Sequence, residues 1–121
     1  MDKTGRIDYV EYPASNLAAT QSFFSKVFGW SFQDYGPDYS SFLPESAGLA
    51  GGFFRSNLAA NTSNGSALIV IYSKDLEASY AKVAAAGGTI AKEIFSFPGG
   101  RRFHFIEPSG NEFAVWSDAD G

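Results

Sequence analysis

Apolar and polar residues alternate from Ile7 to Pro13, the two-residue period of a strand with one buried face. The period then lengthens. Leu17, Phe24, Val27 and Phe28 fall on one side of a helix, with Asn16 placed to cap its first turn and Gly29 to end its last. This spacing predicts a helix from Leu17 to Phe28, followed by three short β segments at Trp30 to Tyr35, Tyr39 to Leu43 and Gly52 to Arg55. The same grammar returns later in the chain. Ala67 to Tyr72 reads as a strand, Asp75 as a cap, Leu76, Tyr80 and Val83 as a helical stripe, and Gly87-Gly88 as its stop. Thr89 to Ser96, Arg102 to Ile106 and Glu112 to Trp116 complete the second set of β segments.

Counted by letters, the echo keeps an offset of 59 residues: Asn16-Leu17 falls on Asp75-Leu76, Gly29 on Gly88, Gly51 on Gly110 and Phe54 on Phe113. Caps and glycine stops recur in any α+β protein, but here the order of elements repeats as well, which argues for an internal duplication. The expected fold is therefore α+β, a single domain over residues 1–121 made of two βαβββ modules, about 6–55 and 66–117. The polar stretch from Ser56 to Ser66 reads as their connection, and Pro98-Gly99-Gly100 as a turn.

Composition narrows the picture. With 45% hydrophobic and 17% aromatic residues in 121, one core forms without covalent staples, and the absence of cysteine excludes disulfides and thiolate chemistry. Nine Lys and Arg against thirteen Asp and Glu give a formal charge of −4, which disfavours nucleic acid as a partner. The Arg101-Arg102 pair is a local exception that reads equally as solvated or ion-paired surface. No stretch approaches the ~20 apolar residues of a membrane span. Met1 to Arg6 lead into no apolar run, so no membrane partner and a cytoplasmic location are expected.

The duplication, Leu17…Phe24…Phe28-Gly29-Trp30, and the late Glu107-Pro108-Ser109-Gly110-Asn111-Glu112 together resemble the vicinal oxygen chelate superfamily of glyoxalases, bleomycin-resistance proteins and extradiol dioxygenases. The resemblance covers nearly the whole chain, although Glu-Pro-Ser-Gly-Asn stands where the family usually has Asp-Pro-Asp-Gly-Asn. It implies a curved mixed sheet whose halves form a cup, with helices outside, ligand on the concave surface and a homodimeric assembly. In the enzymes of that family a divalent metal is held by the first and last strands of each half. The positions that match those ligands carry Tyr9, Leu68, Ala114 and, through the repeat, Arg55, and the only histidine is His104. A catalytic metal needs about three converging donors, so no metal and no cofactor are expected.

Strand parity sorts the remaining candidates. With Tyr9 inward, Glu11 is inward too, while Val10 and Tyr12 face the helix. Leu68, Val70 and Tyr72, then Glu112, Ala114 and Trp116, share that inward side. Arg102 and His104 oppose the helix-facing Phe103 and Phe105. Glu11 and His104 are the candidate acid and base, expected to line one cavity, with Tyr9, Arg55, Leu68, Tyr72, Arg102, Glu112, Ala114 and Trp116 as ligand contacts. Plainer readings stand beside these: a structural ion pair for Glu11, a hydrogen-bonded half-buried His104, and packing for the aromatic residues. The Phe95-Ser96-Phe97 run and Phe53-Phe54 read as core. The leading expectation is a metal-independent protein that binds a small molecule in the cup. The alternatives are a glyoxalase-like lyase or isomerase using Glu11 or His104, and an interaction module without a small ligand.

Overall fold

A computed structural model describes residues 2–118. The first module contains β1 (Val10–Ala14), α1 (Leu17–Phe28), β2 (Phe32–Asp34), β3 (Tyr39–Phe42), a short α2 (Pro44–Ala47) and β4 (Gly51–Arg55). A 3-10 turn at Thr62–Asn64 interrupts the connection. The second module contains β5 (Ile69–Tyr72), α3 (Leu76–Ala85), β6 (Thr89–Phe97), β7 (Gly100–Ile106) and β8 (Glu112–Asp118). The strands form two mixed sheets ordered β1-β4-β3-β2 and β5-β8-β7-β6, in each of which the first strand runs parallel to the last. Two βαβββ modules result, an α+β architecture consistent with those of a cup.

Both helix starts behave as the caps predict: the Asn16 side chain accepts from the Ala19 amide and Asp75 from that of Ala78. The helix ends differ. Gly29 takes the left-handed conformation after α1, whereas after α3 that conformation falls on Gly87 and not Gly88. Gly88 instead lies where a β-carbon would press on the Val83 side chain, 2.7 Å away. Strand β1 begins only at Val10, leaving Ile7 84% exposed ahead of it.

Sheet register overturns part of the letter-counted repeat. Val10 pairs with Gly51 and Ile69 with Phe113, so β1 and β5 are offset by 59 residues but β4 and β8 by 62. The structural counterpart of Ala114 is thus Gly52, not Arg55. Extra length in module two is visible in β6, which has register shifts against β7 between Ile90 and Lys92 and again between Lys92 and Phe95. Each inserts a residue, so parity is reversed between the two shifts and restored beyond the second.

One apolar core serves both sheets. The Phe24 ring of α1 lies 5.7 Å from Phe53 of β4, 4.9 Å from Phe113 of β8 and 6.5 Å from Phe105 of β7, while Tyr12 of β1 stacks on Phe113 at 4.8 Å. Rings from β4, β7 and β8 thus meet on one helix, α1. Residues of the opposite parity in each sheet form a second face, away from this core.

The modules are also joined by the tight turn before β8. Buried Glu107 accepts from the Thr20 hydroxyl at 2.7 Å and the Ser109 amide at 2.9 Å, and Ser109 Oγ accepts from the Asn16 amide at 3.1 Å. Asn111, fully buried, donates to the Pro13 carbonyl and to Glu107, each at 2.6 Å, and accepts from the Ala60 amide at 2.8 Å. Burial pushes the Glu107 carboxyl above its usual range, and its donors only partly offset this. Pro13 suits this site because β1 is an edge strand.

Candidate functional site

The open face of the first sheet is built by alternate residues of β1, β3 and β4. Glu11 pairs with Gly52, and Gly52 with Ser41, so these positions form a row across the sheet. The Tyr39 hydroxyl donates to Glu11 at 2.9 Å and lies 2.6 Å from the Tyr9 hydroxyl, with Ser41 3.4 Å from Tyr9. The Tyr39 ring can do this only because Gly52 lacks a side chain: a β-carbon there would stand 2.6 Å from Tyr39 Cζ. Burial, then the bonds to Tyr9 and Glu11, push the Tyr39 phenol strongly upward, so it stays a neutral donor.

The second sheet presents a different surface. Register places Tyr72, Trp116, Arg102 and Phe95 in one row across all four strands, β5 to β6. The Arg102 guanidinium lies 5.3 Å from the Phe95 ring centre and 5.7 Å from that of Phe97, a cation held over aromatic faces. Trp116 meets Tyr72 edge-on at 5.3 Å and Phe97 at 6.3 Å. The adjacent row holds Val70, Ala114, His104 and Lys92.

His104 is 2% exposed, with Nδ1 2.7 Å from Glu112 Oε2. Glu112 is fixed in turn by the Thr62 amide at 2.7 Å and hydroxyl at 2.8 Å. Burial raises the Glu112 carboxyl, but the His104 and Thr62 bonds outweigh it and leave the group below its usual range. An ionised Glu112 holds the proton on Nδ1, which leaves Nε2 as the free edge of the ring. That Nε2 is buried without a hydrogen-bond partner, as is Arg102 Nε.

Of the residues expected from the sequence, Tyr9 and Glu11 stand together on the first open face. Tyr72, Arg102, His104, Ala114 and Trp116 share the second, where Glu112 supports His104. Leu68 precedes β5, level with Glu112 and half-buried. Glu11 and His104 belong to different sheets, and no hydrogen bond or ring contact joins them. Arg55 is corrected: it falls on the helix-side parity of β4, is exposed, and is bound to Asp38 at 2.9 Å and to the Pro37 carbonyl. Phe95 and Phe97 are also corrected, from core to the open face, because they pair with Arg102 and Gly100, which share the parity of His104. Phe53 is core, as expected, and Phe54 half-buried. Tyr39, Gly52 and Thr62 escaped the sequence reading. Parity from Ser41 would have exposed Tyr39, whereas Gly52 and Thr62 require register.

The positions that would carry a metal hold a phenol, two aliphatic side chains and a glycine: Tyr9, Leu68, Ala114 and Gly52. Among the described residues no group of three His, Cys, Asp or Glu is arranged to hold one. The donor chemistry does not fit a divalent cation. Separately, a cavity of about 570 Å³ opens between the modules on the core side, bordered by Trp30, Phe42, α2 and β5.

The family model described as Glyoxalase/Bleomycin resistance protein/Dioxygenase superfamily matches residues 6–115. No curated protein matches the sequence. Among solved structures, a glyoxalase-related enzyme from Fulvimarina pelagi is 15% identical, with a TM-score of 0.77 over 94% of this chain and 88% of that one. A glyoxalase/bleomycin resistance protein/dioxygenase family enzyme from Burkholderia phytofirmans PsJN is 16% identical, with a TM-score of 0.74 over 93% and 99%. A lactoylglutathione lyase from Agrobacterium tumefaciens is 18% identical, with a TM-score of 0.69 over 96% of each chain. At these identities the likeness is one of fold.

Proposed function

Because this chain belongs to the Glyoxalase/Bleomycin resistance protein/Dioxygenase superfamily, we propose that it binds a small molecule without a metal, on the open face of the second sheet. The observation that carries this reading is the row Tyr72, Trp116, Arg102 and Phe95, an aromatic floor with a cation in it. Flat π surfaces that leave Tyr72 52% exposed are surfaces for a ring to cover. A thermal-shift screen of small molecules tests it. A compound at about 100 times its dissociation constant adds ~2.7 kcal/mol, and its effect should vanish in Trp116→Ala. A screen whose every active compound acts equally on Trp116→Ala refutes the reading.

Since Glu11 and His104 belong to different sheets and no contact joins them, we propose that a cup containing both takes two copies, with the first sheet of one closing over the second sheet of the other. Light scattering should give twice the 13.0 kDa of the chain; a monomer at all micromolar concentrations excludes this assembly.

A second reading, a lyase or isomerase, is favoured by the His104–Glu112 pair, because a carboxylate on Nδ1 orients Nε2 as a proton acceptor. Under it, wild-type protein and not His104→Gln exchanges solvent deuterium into a bound carbon acid. Wild-type protein that binds such a molecule without exchange removes this reading.

A further inference from the structure

We infer that the molecule held on the second sheet is a planar aromatic acid, its anionic group received by Arg102, beside the Nε2 edge of His104, and its ring by Trp116 and Phe95. This rests on the binding reading above and adds the chemical class of the ligand.

Arg102 is the first reason. Its neighbour Arg101, on the opposite parity, is held by both oxygens of Glu77 at 2.7 and 3.1 Å. Among the described residues Arg102 has only the two phenylalanine rings, and its Nε is buried with no acceptor. The carboxylates nearest on its face are engaged elsewhere, Glu112 with His104 and Thr62 and Asp118 with the Tyr72 hydroxyl. A guanidinium oriented by two rings and left without an anion is a receptor for one, since its planar fork matches a carboxylate.

His104 is the second. It stands two residues along β7 from Arg102, so their side chains emerge ~7 Å apart on one face. Its Nδ1 is occupied by Glu112, and the buried Nε2 has no partner. A ligand group that reaches Arg102 also reaches this nitrogen, the second unpartnered polar atom on the face. Lys92, across the strand from His104, adds a second cation to the face.

The aromatic part comes from the floor. Trp116 and Phe95 flank Arg102 in the same row, on β8 and β6. A flat ring attached to the anionic group covers them, whereas a saturated ring meets them with less area and no stacking.

The probes are benzoate, its neutral amide benzamide, and cyclohexanecarboxylate, titrated by calorimetry and by Trp116 fluorescence; Trp30, buried in the core, is the only other indole. Benzoate should bind at least tenfold more tightly than either other probe. Arg102→Gln should erase the difference between benzoate and benzamide, while Arg101→Gln should preserve it; circular dichroism checks that both variants fold. Equal binding of benzoate and benzamide, or a preference that survives Arg102→Gln, overturns the anion assignment and leaves the binding reading standing if Trp116→Ala still abolishes both. No response to any probe up to about 10 mM overturns the inference. Compounds from the thermal screen that act through Trp116 then decide separately whether the binding reading falls with it.

Discussion

Replacing Asn111 by aspartate exchanges one NH2 group for an oxygen at the point where the two modules are tied together. In the wild type that NH2 serves the Pro13 carbonyl and Glu107 Oε2, both at 2.6 Å, while the amide oxygen serves the Ala60 N–H. Aspartate keeps the last bond and turns the other two into oxygen facing oxygen. An alanine at this position leaves two part-buried backbone groups unpaired, which at ~1–3 kcal/mol each costs ~2–6 kcal/mol. Aspartate should cost at least as much at pH 8, because two carboxylates this close cannot both ionise without large repulsion. This repulsion also sets the sign of the pH dependence. One of the pair takes a folded-state pKa above its unfolded value, so the folded protein binds the extra proton and stability is regained as pH falls through that raised pKa. Urea unfolding at pH 8 and pH 5.5, with the slope monitored for two-state behaviour, measures this. The gap between wild type and Asn111→Asp should narrow by ~1 kcal/mol or more at the lower pH. A pH-independent penalty, or one below ~0.5 kcal/mol at pH 8, would refute the idea that Asn111 is a buried donor bridging the modules.

The geometry fixes three further outcomes. Glu112→Gln should destabilise the protein by ~1–3 kcal/mol at pH 7. Because the wild-type carboxyl is lowered from 4.5, the difference in urea midpoint should shrink as pH falls below that value; a constant difference down to acid pH would contradict it. Gly52→Ala should push Tyr39 off Glu11 and cost ~1–3 kcal/mol by overpacking, seen as a lower melting temperature, and an unchanged one would mean that Tyr39 does not lie over Gly52. Elemental analysis of purified protein should find no stoichiometric transition metal; about one per chain, lost with an activity on chelation, would contradict the donor chemistry of Tyr9, Gly52, Leu68 and Ala114.

The parts of the fold that could be read from the sequence are those governed by local physics. Helix α1 runs from Leu17 to Phe28 as the periodicity and the Asn16 cap require, and strand parity placed Tyr12, Phe103 and Phe105 in the core. Register is not local. Three residues added in module two leave the helical spacing untouched but shift β8 against its counterpart, and so Arg55 was assigned to a position that Gly52 occupies. The face taken by Phe95 and Phe97 is likewise set by their pairing with Arg102 and Gly100 of β7, since two phenylalanines around a serine fit either face of a strand by composition. The relation between the sheets was also hidden. An apolar stripe shows that a helix is covered, not that Phe24 is covered from both sides, although adjacent Phe23-Phe24 and Val27-Phe28 make the stripe wide enough for two partners.

That sharing of α1 makes the two halves interdependent. A peptide beginning after the connection would carry Phe105 and Phe113 with nothing to replace the Phe23 and Phe24 rings that cover them, so it should not fold alone. The connection itself is less critical near exposed Leu58, upstream of Ala60 and Thr62, whose amides bind Asn111 and Glu112. A backbone nick there severs the polypeptide but none of these bonds. Two fragments expressed together should therefore assemble around a common helix, as an enzyme cut in a surface loop reassembles, making this small fold a split-reporter scaffold whose association is set by aromatic packing.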